Sequence, residues 1–121
     1  MELIKIEKDD KFCALVVSDE IVIRDLESSL DLLMEAKYKI GTKNIAIDKK
    51  LICEEFFSLS TLLAGTIIQK YINYGARLAI YGDFSHYKSK ALKDFIYESN
   101  KGHEIFFVES KEEAVDRLLG R

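Results

Sequence analysis

Apolar positions recur along this chain in two periods, and the changes of period mark out its elements. Asn44 to Asp48 (Asn-Ile-Ala-Ile-Asp) is too short and too β-branched for a helix and predicts a strand, closed by the charged pair Lys49-Lys50. From about Phe56 to Tyr74, apolar residues fall at Phe56, Leu59, Leu63, Ile67, Tyr71 and Tyr74, a spacing that predicts one long amphipathic helix facing the core through Leu63 and Ile67. Gly75 is placed to end it, since glycine adopts the left-handed C′ conformation without steric cost. Arg77 to Tyr81 is a second strand, stopped by Gly82-Asp83. Strand, helix, strand is a βαβ unit with parallel strands and a right-handed crossover.

The rest of the chain extends this unit. Glu2 to Glu7 and Phe12 to Val17, joined by Lys8-Asp9-Asp10-Lys11, predict an antiparallel hairpin. Ser18 to Arg24 predicts a loop with a short extended segment around Ile21-Val22-Ile23. Asp25 is an N-cap for a helix to Ile40, with apolar positions Leu26, Leu30, Leu33, Met34 and Ile40, ended by Gly41. Ala91, Leu92, Phe95 and Ile96 mark a further helix, with a left-handed stop expected near Ser99-Asn100-Lys101-Gly102. Glu104 to Val108 is a strand, and Ser110-Lys111-Glu112-Glu113 fits a capping box opening a last helix through Leu119. The order β-β-α-β-α-β-α-β-α predicts an α/β fold: one domain over residues 1 to 121, with a mixed sheet that starts as a hairpin and continues parallel. In such sheets the functional crevice lies beyond the carboxyl ends of the parallel strands. Here those ends are Lys49 to Phe57, Asp83 to Tyr87 and Glu109-Ser110.

Composition narrows the partners. A net charge of −3 lacks the basic surplus that phosphate backbones select, so no nucleic-acid partner is expected. No apolar run approaches the roughly 20 residues of a membrane span, and Met1-Glu2-Leu3-Ile4-Lys5 lacks a signal-peptide core, which leaves a cytoplasmic location as the expectation. Cys13 and Cys53, without C-x-x-C spacing, form neither a zinc nor a redox motif and read as reduced thiols. No cofactor motif occurs, and Asp48, Glu54, Asp83 and His86 show no metal-ligand spacing.

The element order resembles that of the STAS domain, the module shared by anti-sigma factor antagonists and the cytoplasmic tails of sulfate transporters. The resemblance rests on Asn44 to Asp48, on Cys53-Glu-Glu-Phe-Phe-Ser-Leu59, on Tyr74-Gly-Ala-Arg-Leu-Ala-Ile80, and on Ile105-Phe-Phe-Val108 with Glu112-Glu-Ala114. In anti-sigma factor antagonists an Asp-Ser-Ser-Gly motif opens the helix after the third strand, and its second serine is phosphorylated. That motif falls on Phe56-Phe57-Ser58-Leu59, where only the serine is kept, so the resemblance implies Ser58 as phosphorylation candidate near a helix N-terminus. The wording of Leu51-Ile-Cys-Glu-Glu-Phe-Phe57, Gly82-Asp-Phe-Ser85 and Phe95-Ile-Tyr-Glu-Ser-Asn-Lys-Gly102 also resembles a bacterial family of small domains of unknown function.

Three groups of residues carry candidate chemistry. Ser58, Thr61, Gly65 and Gln69 form a polar stripe on the expected helix, either a phosphate-accepting face or its solvated side. Cys53, Glu54, Asp83 and His86, with Glu55, Asp48 and Ser85, bring a thiol, carboxylates and an imidazole to one end of the sheet, as acid/base or nucleophilic catalysis would need and as ordinary solvated loops also do. Phe56, Phe57, Phe84 and Tyr87 crowd that same end, as an exposed contact patch, a pocket or a lid on the core. The leading expectation is a STAS-like regulatory or interaction module that binds a protein partner through Glu54, Glu55, Phe56, Phe57, Ser58, Thr61, Phe84 and Tyr87. The alternatives are a small enzyme using Cys53, Glu54, Asp83 and His86, or an apolar-ligand carrier. Homo-oligomerisation is left open.

Overall fold

The computed structural model describes residues 1–120. The hairpin forms as its turn chemistry dictates: β1 (Glu2–Lys8) and β2 (Lys11–Val17) pair antiparallel across Asp9 and Asp10, which hold φ of 52° and 67°. Aspartate is among the few side chains that tolerate this left-handed region. The chain then passes through α1 (Leu26–Lys39), β3 (Asn44–Asp48), α2 (Leu63–Asn73), β4 (Arg77–Tyr81), α3 (Lys90–Lys101), β5 (Ile105–Val108) and α4 (Lys111–Leu119). The five strands lie in sequence order, parallel from β2 onward.

Each parallel step moves the same way across the sheet, so right-handed crossovers place α1, α2 and α3 on one face. There Ala14, Val16, Ile45, Ile47, Leu78, Ile80, Ile105 and Phe107 meet Leu33, Ile67, Tyr71 and Leu92 from the helices. The alternate residues Cys13, Leu15, Ala46, Ala79, Phe106 and Val108 face α4 through Ala114, Leu118 and Leu119. Burial pushes the Cys13 thiol up to about 11. The extended segment expected before α1 is present as a parallel bridge between Ile23 and Ile52. Asp25 caps α1 reciprocally with Ser28, Gly41 and Gly75 take the left-handed stops at φ 82° and 70°, and Ser110 accepts from the Glu113 N–H. Among the described residues no helix is long and apolar enough to cross a membrane.

Three expectations need correction. The long helix from Phe56 is absent: Glu54–Phe57 and Leu59–Thr61 are 3-10 turns, and α2 begins only at Leu63. The break is at Leu62, which holds φ 66° and ψ 4° without a capping side chain, while the Thr61 hydroxyl accepts from the Leu63 N–H. Leu63 is therefore half-buried at the helix mouth, and Ile67 is the fully buried residue. In α1 the buried face runs through Ser29, Leu32, Leu33 and Ala36, leaving Met34 exposed, because the Tyr71 hydroxyl donates to the Ser29 carbonyl and docks that side on α2. Gly102 ends α3 with φ −86° in extended backbone and not in a left-handed turn.

A left-handed leucine costs about 1–2 kcal/mol, and Leu62 leaves its side chain 72% exposed, so little burial offsets that strain. In urea unfolding, Leu62→Gly is expected to leave stability unchanged or raise it by up to about 1 kcal/mol, whereas Ile67→Ala, wholly inside the core, should cost about 2–5 kcal/mol. An Ile67→Ala loss below about 0.5 kcal/mol would mean that α2 does not seal the core.

Candidate functional site

β3 and β4 are in register to their last residues, Asp48 opposite Tyr81, so the loops that follow emerge side by side. After β3 the Asp48 carboxylate accepts from the Lys50 N–H at 2.9 Å and starts a 3-10 turn over Lys49–Leu51. After β4 comes Gly82, with φ 153°, where an added Cβ would stand 2.9 Å from the Lys49 Cβ. Only glycine lets the two loops approach this closely. Lys49 then lays its ammonium 4.9 Å from the Tyr87 ring centre and 5.8 Å from that of Phe57. Such cation–π contacts are worth about 0.5–1 kcal/mol where solvent reaches them.

Under the lysine, aromatic rings pack on one another. Phe57 stacks on Tyr87 at 5.4 Å, meets Phe56 edge-on at 5.1 Å and touches Phe84 at 6.1 Å; Phe84 in turn meets Phe107 at 5.7 Å. Phe56 and Phe57 are only 1% and 4% exposed and belong to the core; Phe84 and Tyr87 are half-buried above them. His86 lies 4.3 Å from the Tyr87 ring. The Tyr87 hydroxyl donates to the Glu54 carboxylate at 3.2 Å. Burial, followed by the Glu54 charge and this hydrogen bond, pushes the phenol from 10.0 up to about 12.

Outside the rings runs an open groove of about 430 Å³ lined by Glu54, Glu55, Phe57, Ser58, Thr61, Tyr87, Lys88, Ser89 and Leu92. Its floor is aromatic and aliphatic, and its rim is polar with two carboxylates. The Thr61 hydroxyl reaches the Glu55 carbonyl at 2.7 Å and the Ser58 carbonyl at 2.8 Å, which ties the two 3-10 turns together. Ser58 is exposed between those turns and caps neither with its side chain. It is not at an α-helix N-terminus, so the dipole that would favour a phosphate there is missing, and Ser58 and Thr61 do not share a helical stripe with Gly65 and Gln69.

The groups singled out for acid/base chemistry gather at this end but are engaged separately. The Cys53 thiol donates to the Arg24 carbonyl at 3.5 Å, Glu54 holds Tyr87, and the Asp83 carboxylate accepts from the Ser85 N–H at 2.8 Å within its own turn. Hydrogen bonds from Ser85, with smaller help from the charges of His86 and Lys49, hold the Asp83 carboxyl below the usual range. Among the described residues no hydrogen bond joins Cys53 to His86 or to a carboxylate. Four residues of the site were not anticipated, Lys49 over the rings and Lys88, Ser89 and Leu92 along the groove, and neither was the backbone of Leu62 just beyond it in the chain. Nothing in the sequence around Leu62 signals a left-handed backbone, since glycine or asparagine would be the usual marker.

The fold and this end of it define a small α/β domain with an open, polar-rimmed groove beyond two parallel strands. A family model described as Domain of unknown function (DUF4180) matches residues 8–118, and the chain belongs to that family. No curated protein and no solved structure matches it.

A raised phenol pKa stabilises the folded state fully below the unfolded value, and that contribution is lost as pH rises through the folded one. Tyr87 should therefore stay protonated to about pH 12, and its share of stability should fall only in the window from 10 upward. Ultraviolet titration of the phenolate in wild type and in Glu54→Gln checks this. Removing the carboxylate charge should bring the Tyr87 transition part of the way back, burial keeping the remainder; an unmoved transition would show that Glu54 does not act on it.

Proposed function

We propose that this chain is a STAS-like interaction module that binds another protein at the carboxyl ends of β3 and β4. Glu54, Glu55, Ser58, Thr61, Phe84 and Tyr87 form the contact face, and Leu62, next in the chain after Thr61, extends it toward the depression lined by Gly65, Thr66, Gln69 and Lys70 on α2. The observation that carries this reading is Leu62 itself: a large apolar side chain, 72% exposed, on a backbone held in a strained left-handed conformation, one residue beyond the groove wall at Thr61. Strain of this kind persists where the surroundings impose it and clusters at binding and switch sites. An apolar anchor beside a polar-rimmed groove with an aromatic floor is also the composition of an interface centre. The element order, which resembles that of the STAS domain, and the position of Ser58, which matches the phosphorylated serine of anti-sigma factor antagonists, support the same reading.

Ser58 lies within the proposed face with an exposed hydroxyl. A phosphate there would add about two negative charges and their hydration beside Glu54 and Glu55, which opposes burial against a partner. Phosphorylation of Ser58 would thus release the partner and leave the fold intact.

Affinity capture from native extract with the immobilised full chain tests the face. Leu62→Asp and Ser58→Asp should each retain roughly tenfold less of the same bound protein, about 1.4 kcal/mol, with melting temperatures near that of wild type. Tyr38→Asp, an exposed position on α1 away from the groove, should bind normally. Equal retention by all three variants would remove this end of the sheet as the contact surface.

A further inference from the structure

We propose that two copies of this chain join through β1, antiparallel and centred on Lys5, so that their sheets become continuous. β1 is the terminal strand, bonded only to β2, and its seven residues pair without a bulge or proline. An exposed strand edge of this length is a template for another strand unless its side chains forbid pairing. Here they specify it.

The register follows from the hairpin. Residues flanking a two-residue turn form a hydrogen-bonded pair, so Lys8 and Lys11 bond each other, and Ile6, Ile4 and Glu2 likewise aim their backbone groups at β2. Leu3, Lys5 and Glu7 aim theirs at the open edge. A second β1 must match outward residues with outward residues, and centring on Lys5 uses all three: Leu3 opposite Glu7 of the second copy, Lys5 opposite Lys5, and Glu7 opposite Leu3. The residues between them become the non-hydrogen-bonded pairs, whose side chains come closest. These are Ile4 opposite Ile6 and Glu2 opposite Lys8, each occurring twice by symmetry.

One face of the seam is therefore apolar at its centre and oppositely charged at both ends. It would cover Ile4, which is 42% exposed in the single chain. On the other face each Lys5 ammonium is drawn onto its own subunit, 4.5 Å above the Phe12 ring and 3.9 Å from the Glu7 carboxylate, so the two lysines face each other with a glutamate beside each. Sliding the strands by two residues loses one of the three outward pairs and sets Glu2 against Ile6, or Ile4 against Lys8. On the face that carries Glu2, Ile4, Ile6 and Lys8 the pattern of β1 is thus self-complementary in the register that makes the most backbone bonds, and the neighbouring Glu7 carboxylates offset the Lys5 pair on the other face.

Sedimentation velocity of the full chain over micromolar concentrations should show a dimer. Lys5→Pro removes an outward N–H and no bond to β2, and proline is tolerated on an edge of this kind, so this variant should sediment as a monomer with an unchanged far-ultraviolet circular dichroism spectrum. Because Cys13 is the cross-strand partner of Ile6 within the hairpin, the crosslinking background removes both native thiols: with Cys13→Ala and Cys53→Ser, air oxidation of mixed Ile4→Cys and Ile6→Cys chains should yield the mixed disulfide, whose span suits a directly opposed pair, while neither variant alone crosslinks. A wild type that is monomeric throughout, a dimer that survives Lys5→Pro, or equal crosslinking of each variant with itself would overturn the proposal. Should Lys5→Pro fail to fold, the crosslinking result decides alone.

Discussion

The structure depends on the burial of β3 and β4 on both faces. Ile45, Ala46 and Ile47 lie directly beside Leu78, Ala79 and Ile80, and none of the six exposes any surface. Their large members point to the three-helix face and their alanines to the α4 face. The division matters, because two neighbouring alanines beneath Ala114 let a nine-residue helix settle closely on the sheet centre. Arg77, at the start of β4, then holds the far end of that helix by donating to the Leu118 carbonyl at 2.6 Å and the Arg117 carbonyl at 3.1 Å. Its guanidinium and that of Arg117 both lie over the Phe106 ring, at 5.5 and 4.4 Å. The orphan carbonyls of a helix terminus are thus satisfied from the sheet itself.

The same register makes the groove. Because both strands stop level, Lys49 and Gly82 are neighbours, and the absence of a side chain at Gly82 lets the lysine cross onto Tyr87. Tyr87 in turn is fixed from three sides, by Lys49 above, Phe57 below and the Glu54 carboxylate at its hydroxyl. A rigid aromatic floor under a rim of short loops can recognise a partner without first ordering itself, which spares the entropy that a flexible surface loses on binding. The edge of β1 lies at the opposite border of the sheet from the α3–β5 side, so the proposed self-association there and the proposed partner binding beyond β3 and β4 would use different surfaces.

Much of this was legible in the chain wherever the signal was local. Alternation or short β-rich apolar runs predicted every strand, the glycines at 41 and 75 ended their helices, and Asp25 and Ser110 opened theirs, since each of these choices is decided within a few residues by sterics or by one hydrogen bond. The region from Cys53 to Leu62 was misread for an equally physical reason. Apolar residues at Phe56, Leu59 and Leu63 have the spacing of a helix, yet consecutive 3-10 turns can present the same residues inward, and spacing alone does not distinguish the two. Packing distinguishes them: Phe57 is drawn beneath Phe84 and Tyr87, which come from a loop about thirty residues away along the chain, and Phe56 packs edge-on against Phe57.

By itself the sequence determined the fold class, the succession of strands and helices and the parallel or antiparallel sense of the strands, and it pointed to the carboxyl ends of the parallel strands as the place to look for a site, because periodicity, turn residues and handed crossovers are properties of short segments. Only the tertiary structure decided which side of α1 is buried, that Leu62 is strained and exposed, that Ser58 sits between 3-10 turns, and that Cys53, Glu54 and Asp83 each have a different partner. Those outcomes depend on contacts between segments far apart in the chain, where the energy of packing a ring or satisfying a carbonyl exceeds the preferences of any local stretch.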